Sequence, residues 1–186
     1  YGIFRGDKKV GGRLEEEIYA TLGMDWISPE LRENRGEIEA AQEGKLPKLV
    51  ELSDIKGDLH NHSNWSDGIP TFEEMAEHAI KMGYKYLVVS DHSKSLHIAN
   101  GLEDDELLEE IEAIDKLNKK FKGFTLLKAT EVDIKSDGSL DFPDKLLEKL
   151  DIVVASIHSG FKQGTEKITE RMIAAIRNSQ VNIIAH

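Results

Sequence analysis

The sequence contains no cysteine. Disulfides and thiolate metal sites are therefore excluded, and any bound metal must sit on His, Asp or Glu. No uninterrupted run of about 18 apolar residues occurs, so no membrane-spanning helix is expected. No basic-then-apolar leader opens these residues, and a cytoplasmic protein without a secretory signal is expected. Basic charge is scarce: 24 Lys and Arg stand against 35 Asp and Glu, a net charge of −11. That balance argues against a generally basic nucleic-acid-binding face. It does not exclude a nucleic-acid substrate, because divalent cations gathered in a cleft reverse the local sign of the field. What is present suits a globular protein with a real core: 186 residues, 39% hydrophobic and 32% charged, enough for one domain with something left over.

The pattern changes near residue 55. Residues 1–12 (YGIFRGDKKVGG) read as a short strand and a turn, and residues 13–23 as a helix with Leu14, Ile18 and Leu22 on one face. The next stretch, to about residue 52, is polar and punctuated by Pro and Gly, more linker than domain. About 55 residues of this kind would struggle to bury a core alone. Beyond them strands and helices alternate. Strands are expected at 57–62, 86–90, 125–134, 152–157 and 181–185, and helices at 71–82, 104–121, 143–150 and 165–178. Thr71 with Glu74 three residues on is a capping box for the first of these helices, which turns Phe72, Met75, Ala76, Ala79 and Ile80 to one side. The second helix offers Leu107, Leu108, Ile111, Ile114 and Leu117. Near-continuous apolar strands alternating with helices mean a parallel sheet covered by helices, either a barrel or a doubly wound sheet.

The residues that end the strands carry the chemistry. The strands close on DLHNH, SDH, TEVD, SIH and AH, and parallel α/β proteins place their sites at the carboxyl ends of strands. His60, His62, His92, His158 and His186 all sit there. His60 and His62 are two residues apart on an expected strand, so both rings face the same side, about 7 Å apart at the backbone. Asp67 follows in SNWSDG, where Gly68 lets the chain double back over the strand end. Glu131 lies inside the apolar run KATEVDI, where an unpaired carboxylate would cost several kcal/mol, about 2 or more. A metal removes that cost, and imidazole with carboxylate is the ligand set of Zn, Mn and Fe. Together the strand ends point to a multinuclear metal site. His78, in mid-helix, and His97, in a loop, read as structural.

These residues also carry a family resemblance. GDLHNHSNWSDG, SDHS, the Glu of KATEVD, the His of VVASIHSG and the final NIIAH resemble, in order and strand context, the successive metal motifs of the polymerase and histidinol phosphatase (PHP) superfamily. The resemblance covers residues 55–186. It implies a distorted seven-stranded β/α barrel, with about five strands present here, holding two or three divalent ions. Position by position, it implies metal ligands at His60, His62, Asp67, His92, Glu131, His158 and His186. Residues 1–55 resemble the end of the thumb and the linker of bacterial and archaeal family X DNA polymerases, through YGIF, EEEIYATLGMDWISPELRENRGEIEAA and LPKLVELSDIKGDLH. DHSKSLHIANGL resembles the same subfamily. The implied organisation is a thumb remnant at 1–35, a linker at 36–55 and a PHP phosphoesterase domain at 56–186.

The function so implied is metal-dependent hydrolysis of phosphoesters at DNA 3′ ends, a 3′–5′ exonuclease of a polymerase acting in DNA repair. Mn²⁺ is the favoured ion, with Zn²⁺ and Fe²⁺ as alternatives. Glu131 is the expected bridging carboxylate and acts with His60 and His62 through water that the metals activate. His60 and His62 would hold one ion, Asp67 and His92 another. Lys94 and Ser93, just past the second strand, and Ser159, beside His158, are candidates to contact a substrate phosphate. Asp91 is expected to orient an imidazole. DNA and upstream polymerase domains of the same chain are the expected partners, with no membrane. Residue 1 is Tyr, and His186 closes a strand with no helix after it, so a piece of a longer chain is expected. The family's closing Asp-x-His and the polymerase palm lie outside these residues, so weak activity is expected of them alone. Two other readings stay open: a small-molecule phosphomonoesterase of the histidinol-phosphatase type, and a metal-stabilised structural module of a polymerase.

Overall fold

The computed structural model describes Tyr1–His186, every residue of the sequence. Its contacts divide it into Tyr1–Glu51 and Leu52–His186. In the first unit β1 (Ile3–Arg5) and β2 (Lys8–Gly11) form an antiparallel hairpin. Helix α1 (Glu15–Thr21) begins with three glutamates, where the helix dipole favours negative charge. Arg32 grips Glu15 through two nitrogens at 2.7 Å each. That hydrogen-bonded pair, helped by the Trp26 indole, holds the Glu15 carboxyl down at about 2. The stretch that reads as linker contains a 3₁₀ turn at Pro29–Leu31 and α2 (Glu37–Gln42), and Ile27 is buried there. Few other side chains of this unit are buried, in keeping with its size.

The second unit holds a five-stranded sheet. β3 (Gly57–Asp58), β4 (Tyr86–Val89), β5 (Thr125–Asp133), β6 (Ile152–Ser156) and β7 (Ile183–Ile184) lie side by side in chain order. All four pairings are parallel. α3 (Phe72–Lys81), α4 (Asp104–Asn118), α5 (Asp144–Leu147) and α6 (Thr165–Arg177) make the crossovers. This is the expected α/β architecture, and the strands present number five; the seven-stranded barrel of the resemblance is not closed by these residues.

Period-two alternation explains both faces of the sheet. Leu87 and Val89 of β4 and Leu126 of β5 join Phe72, Met75, Ala76 and Ala79 of α3 and Ile114 and Leu117 of α4 in one core cluster. Val132 of β5 and Val153 and Ala155 of β6 join Leu107, Leu147 and Ala175 in a second. The residues between them, Ser90, Glu131, Asp133 and Ser156, face the opposite way and are buried although polar. One face therefore supplies the core and the other the site.

Helix α3 starts as its sequence implies. The Thr71 hydroxyl accepts the Glu74 N–H at 3.3 Å and the Glu74 carboxylate accepts the Thr71 N–H at 2.8 Å. Such a cap contributes about 1 kcal/mol. Two expected core positions differ. Ile80 and Leu108 are 44% and 40% exposed. On α4 the buried stripe is Leu107, Glu110, Ile114 and Leu117, so a glutamate takes the place that an apolar pattern would give to a hydrophobe.

The first strand is shorter than expected. It stops at Asp58 because its carboxylate turns back to accept the His60 N–H at 3.2 Å. Pairing resumes at Asn61, whose carbonyl accepts the Ser90 N–H at 2.8 Å. His60 and His62 thus flank an isolated point of contact with β4 rather than lying within a regular strand.

Candidate metal centre

Glu131 is the hub. It sits in mid-sheet on β5, 2% exposed, flanked by β4 and β6. The β4–β5 register that pairs Val89 with Lys128 continues to pair His92 with Glu131. Oε2 of Glu131 faces three imidazoles: His60 Nε2 at 3.2 Å, His92 Nδ1 at 3.2 Å and His62 Nε2 at 3.5 Å. Oε1 faces the other side. It accepts the Ser156 hydroxyl at 2.5 Å and lies 3.5 Å from His158 Nε2 and 3.9 Å from His186 Nδ1. Asp67 closes the near side, with Oδ1 at 3.7 Å from His92 Nε2 and 3.9 Å from His62 Nδ1.

These distances require a curled sheet. Four strand spacings separate β3 from β7, about 19 Å if flat. Yet His60, just past β3, and His186, just past β7, both reach the carboxylate of Glu131. The sheet is an open half-barrel with its imidazoles turned into the concave side.

Local structure positions the loop side chains. Gly68 comes so close to the chain before it that a Cβ would stand 2.2 Å from the His62 carbonyl oxygen. Only glycine lets this loop fold back and carry Asp67 over the strand end. The loop is pinned from below by Asp91, which accepts the Ser63 N–H at 2.7 Å, the Ser66 hydroxyl at 2.6 Å and the Ser63 hydroxyl. Asp91 therefore holds the 63–66 turn rather than an imidazole, because it points to the side of β4 opposite His92. The carboxylate beside an imidazole is Asp133, with Oδ1 3.3 Å from His158 Nδ1. Sequence reasoning passed over Asp133 as a site residue. Its signal was parity: two residues after Glu131 on one strand, it must share the same face.

Electrostatics separate the titratable groups. Burial, then the neighbouring His62, pushes the His92 imidazole below its usual range, so it stands neutral with a lone pair to offer. Burial works to raise the Glu131 carboxyl, but the Ser156 hydrogen bond and the His92, His60 and His158 imidazoles outweigh it and hold it below the usual carboxylate range. Asp133 is raised by burial, only partly offset by His158.

The donor set fits divalent ions. His62 Nδ1, His92 Nδ1, His158 Nδ1 and Asp133 Oδ2 are buried and make no hydrogen bond. His60 Nε2 and His62 Nε2 face each other at 3.2 Å. Buried polar atoms without partners are uncommon in native proteins, and lone pairs gathered this closely call for a cation between them. Three groups bring one ligand atom from each member within 4.8 Å of the others: His60, His62 and Glu131; His62, Asp67 and His92; His92, Glu131 and His158. Glu131 belongs to two of them, one with the imidazoles after β3 and one with those after β4 and β6.

The three residues expected to meet a substrate phosphate are placed differently. Ser159 is exposed next to His158. Lys94 is held by the Asp104 carboxylate and lies 5.7 Å above the Phe142 ring. Ser93 is fully buried, and its hydroxyl accepts the Asp133 N–H at 2.9 Å, a place in the scaffold of the site. His78 lies exposed on α3, where it shares the lining of one cavity with His62, and His97 lies in an exposed 3₁₀ turn.

Comparison with known proteins agrees with this geometry. Residues 1–33 match the DNA polymerase beta thumb family. Over 172 residues the chain is 47% identical to the DNA polymerase/3′-5′ exonuclease PolX of Bacillus subtilis, covering 92% of this chain and 30% of that protein. It is 34% identical over 134 residues to a probable phosphatase of Thermoanaerobacter sp. strain X514, covering 69% of this chain and 52% of the relative. A probable phosphatase of Syntrophotalea carbinolica is 30% identical over 133 residues, with 69% and 53% covered. The chain thus spans about half the length, or less, of the curated relatives it matches. No helix is long and apolar enough to cross a membrane. Residues 58–185, which carry the half-barrel from Asp58 onward and every imidazole around Glu131 except that of His186, match the PHP domain, and the chain belongs to the PHP domain family.

Proposed function

We propose that the chain is the metal-dependent phosphoesterase part of a family X DNA polymerase, removing nucleotides from DNA 3′ ends in DNA repair. One observation carries the proposal: the two oxygens of a single buried carboxylate, Glu131, each face a separate set of imidazoles. A bridging carboxylate between two cations has this form, and paired cations suit in-line displacement at phosphorus. When bound, divalent ions supply Lewis acidity: they acidify water and neutralise charge on a phosphoryl group. Mn²⁺ is the ion proposed, held by His60, His62, Asp67, His92, Glu131, His158 and His186.

The chain's own residues do the rest. The buried, neutral His92 keeps a lone pair directed into the site. Asp133 stands beside His158 with Oδ1 3.3 Å from Nδ1, on the side of the ring away from the Nε2 that is directed at Glu131. Ser156 locks one Glu131 oxygen so that the carboxylate plane cannot rotate away from the imidazoles. Ser159 and Lys94 are the proposed contacts for the phosphate. The thumb match at residues 1–33 supports DNA over a free metabolite as substrate.

The test is degradation of 5′-labelled single-stranded DNA with Mn²⁺, with histidinol phosphate as a parallel substrate. Stepwise shortening from the 3′ end, lost in His60→Ala, is the expected result. Turnover of histidinol phosphate without any DNA shortening would instead support the small-molecule phosphatase reading, which the probable phosphatases at 34% and 30% identity represent.

A further inference from the structure

Arg171 of α6 is 2% exposed, yet its acceptors are all neutral oxygens. Its guanidinium donates to the carbonyls of Ile134, Lys135 at 3.0 Å and Ser159 at 3.1 Å, and to Gln163 Oε1 at 2.8 Å. Burying a cation without a carboxylate is unfavourable unless its hydrogen bonds are met, and here the fork is met by two loops at once. The positions of those carbonyls are the informative part. Ile134 and Lys135 come directly after Asp133, and Ser159 comes directly after His158. Asp133 and His158 are the carboxylate–imidazole pair of the metal centre, 3.3 Å apart. The second loop is wrapped closely on the cation: Gly160 has φ +70°, and a Cβ there would stand 2.9 Å from Arg171 Nη1.

We propose that Arg171 is the positioning residue for His158. It ties the end of β5 to the loop after β6, and so fixes the approach of Asp133 to His158 and the aim of the imidazole at Glu131. Arg171 touches no ligand atom itself; its acceptors are the backbone next to the ligand and the Gln163 side chain. The geometry also excludes lysine as a substitute, since one ammonium cannot span carbonyls on both loops with the spacing of a planar fork. The inference rests on the metal-centre reading of the site.

The experiment is a Zn²⁺ titration of the whole chain, followed through the imidazole NMR signals of His158, His60 and His62. Arg171→Lys, Arg171→Met and Arg171→Ala are compared with the wild type, and circular dichroism checks their fold. In Arg171→Lys and Arg171→Met the midpoint at His158 should rise about tenfold or more, as when a partner behind a ligand is lost. The midpoints at His60 and His62 should stay within about twofold, because their own supports lie on β3 and β4. Free guanidinium at non-denaturing concentration should restore His158 in Arg171→Ala and do nothing to the wild type. An unchanged His158 midpoint, or equal weakening at His60 and His158, would overturn the positioning role. So would variants that are all unfolded and unresponsive to guanidinium, which would make the clamp a fold element only. A wild type that takes up no Zn²⁺ at any imidazole would sink the metal-centre reading itself, a different failure from either of these.

Discussion

Replacing Glu131 by Gln removes one charge and almost no volume, which isolates the role of that charge. In the native chain Oε2 lies within 3.5 Å of three imidazoles, while Oε1 accepts Ser156 at 2.5 Å and faces His158 and His186. Gln keeps one acceptor oxygen and turns a donor to the other side, so one of the two imidazole sets loses its acceptor. Two of the three ligand groups lose their only carboxylate; the group of His62, Asp67 and His92 keeps Asp67. Loss of a residue behind a ligand weakens metal binding about 10–100-fold, and loss of the charged ligand should reach at least the top of that range. A hundredfold loss is about 2.8 kcal/mol. The metal-free protein should change far less. A hydrogen bond to a charged group is worth about 1 kcal/mol more than a neutral one, and relief from burying the charge offsets that. Metal content of gel-filtered protein, measured by plasma mass spectrometry, tests this against His78→Ala, whose imidazole is exposed on α3. Glu131→Gln should retain about one weakly held ion or none, and His78→Ala the native content. Equal metal content in the two variants would refute the bridging role.

Asp133→Asn should weaken metal binding at His158 about tenfold, because the carboxylate beside Nδ1 is lost, and isothermal titration should show it as the disappearance of one class of sites. In chelator, the stability of the wild type should fall as the pH drops below about 6.5: the folded His92 binds its proton more weakly than the unfolded chain, so stability is present above the unfolded value and lost towards the lower folded one. Urea unfolding of His92→Gln should show a shallower slope between about pH 5 and 7. Glu110, buried with both oxygens unpartnered, has its carboxyl raised well above the usual range by burial and then by Asp91. Its sign is opposite, since the folded state holds the proton longer, so its destabilisation grows as pH rises above the unfolded carboxylate value. Glu110→Met should therefore stabilise by about 1–3 kcal/mol, more at pH 8 than at pH 4, and a stabilisation that did not grow with pH would refute the assignment.

Much of the fold was legible because its strands and helices have strong periods. The helix boundaries at Thr71 and near Asp104 follow from caps and apolar stripes, and the residue types at the strand ends mark the side chains that gather around Glu131. The misses have physical causes. The first strand reads as continuous through His62, because nothing local shows that the Asp58 carboxylate will capture the His60 N–H. Glu110 escapes an apolar-stripe reading because such a reading counts only hydrophobes, yet by spacing alone it falls in the Leu107–Ile114–Leu117 stripe. Asp91 does not orient an imidazole as expected, because the residue next to His92 along the chain points to the opposite face, where it meets Ser63 and Ser66. Arg171 could not be found from sequence. An arginine on an amphipathic helix ordinarily snorkels to water, and only the fold shows that two strand-end loops close over this one.

The buried polar atoms that lack hydrogen bonds fall into two places, and the difference between them bears on function. One place is Glu110, which a proton can neutralise. The other is the concave face of the half-barrel, where His62, His92, His158 and Asp133 each hold an orphaned atom. A proton cannot satisfy that group as a whole, because charging the imidazoles in contact with one another, such as His62 and His92 stacked 4.3 Å apart, sets cation against cation. A divalent ion satisfies several lone pairs at once. An ion that binds only the folded chain also adds about 2.7 kcal/mol of stability at a hundredfold excess over its dissociation constant. The strands that carry Glu131 and Asp133 are fixed by ladder pairing and by two apolar clusters on the other face. Ladder pairing and packing therefore hold Glu131 and Asp133 in place, and the unpaired lone pairs that one proton cannot satisfy together lie on the concave face, where a divalent ion would meet them.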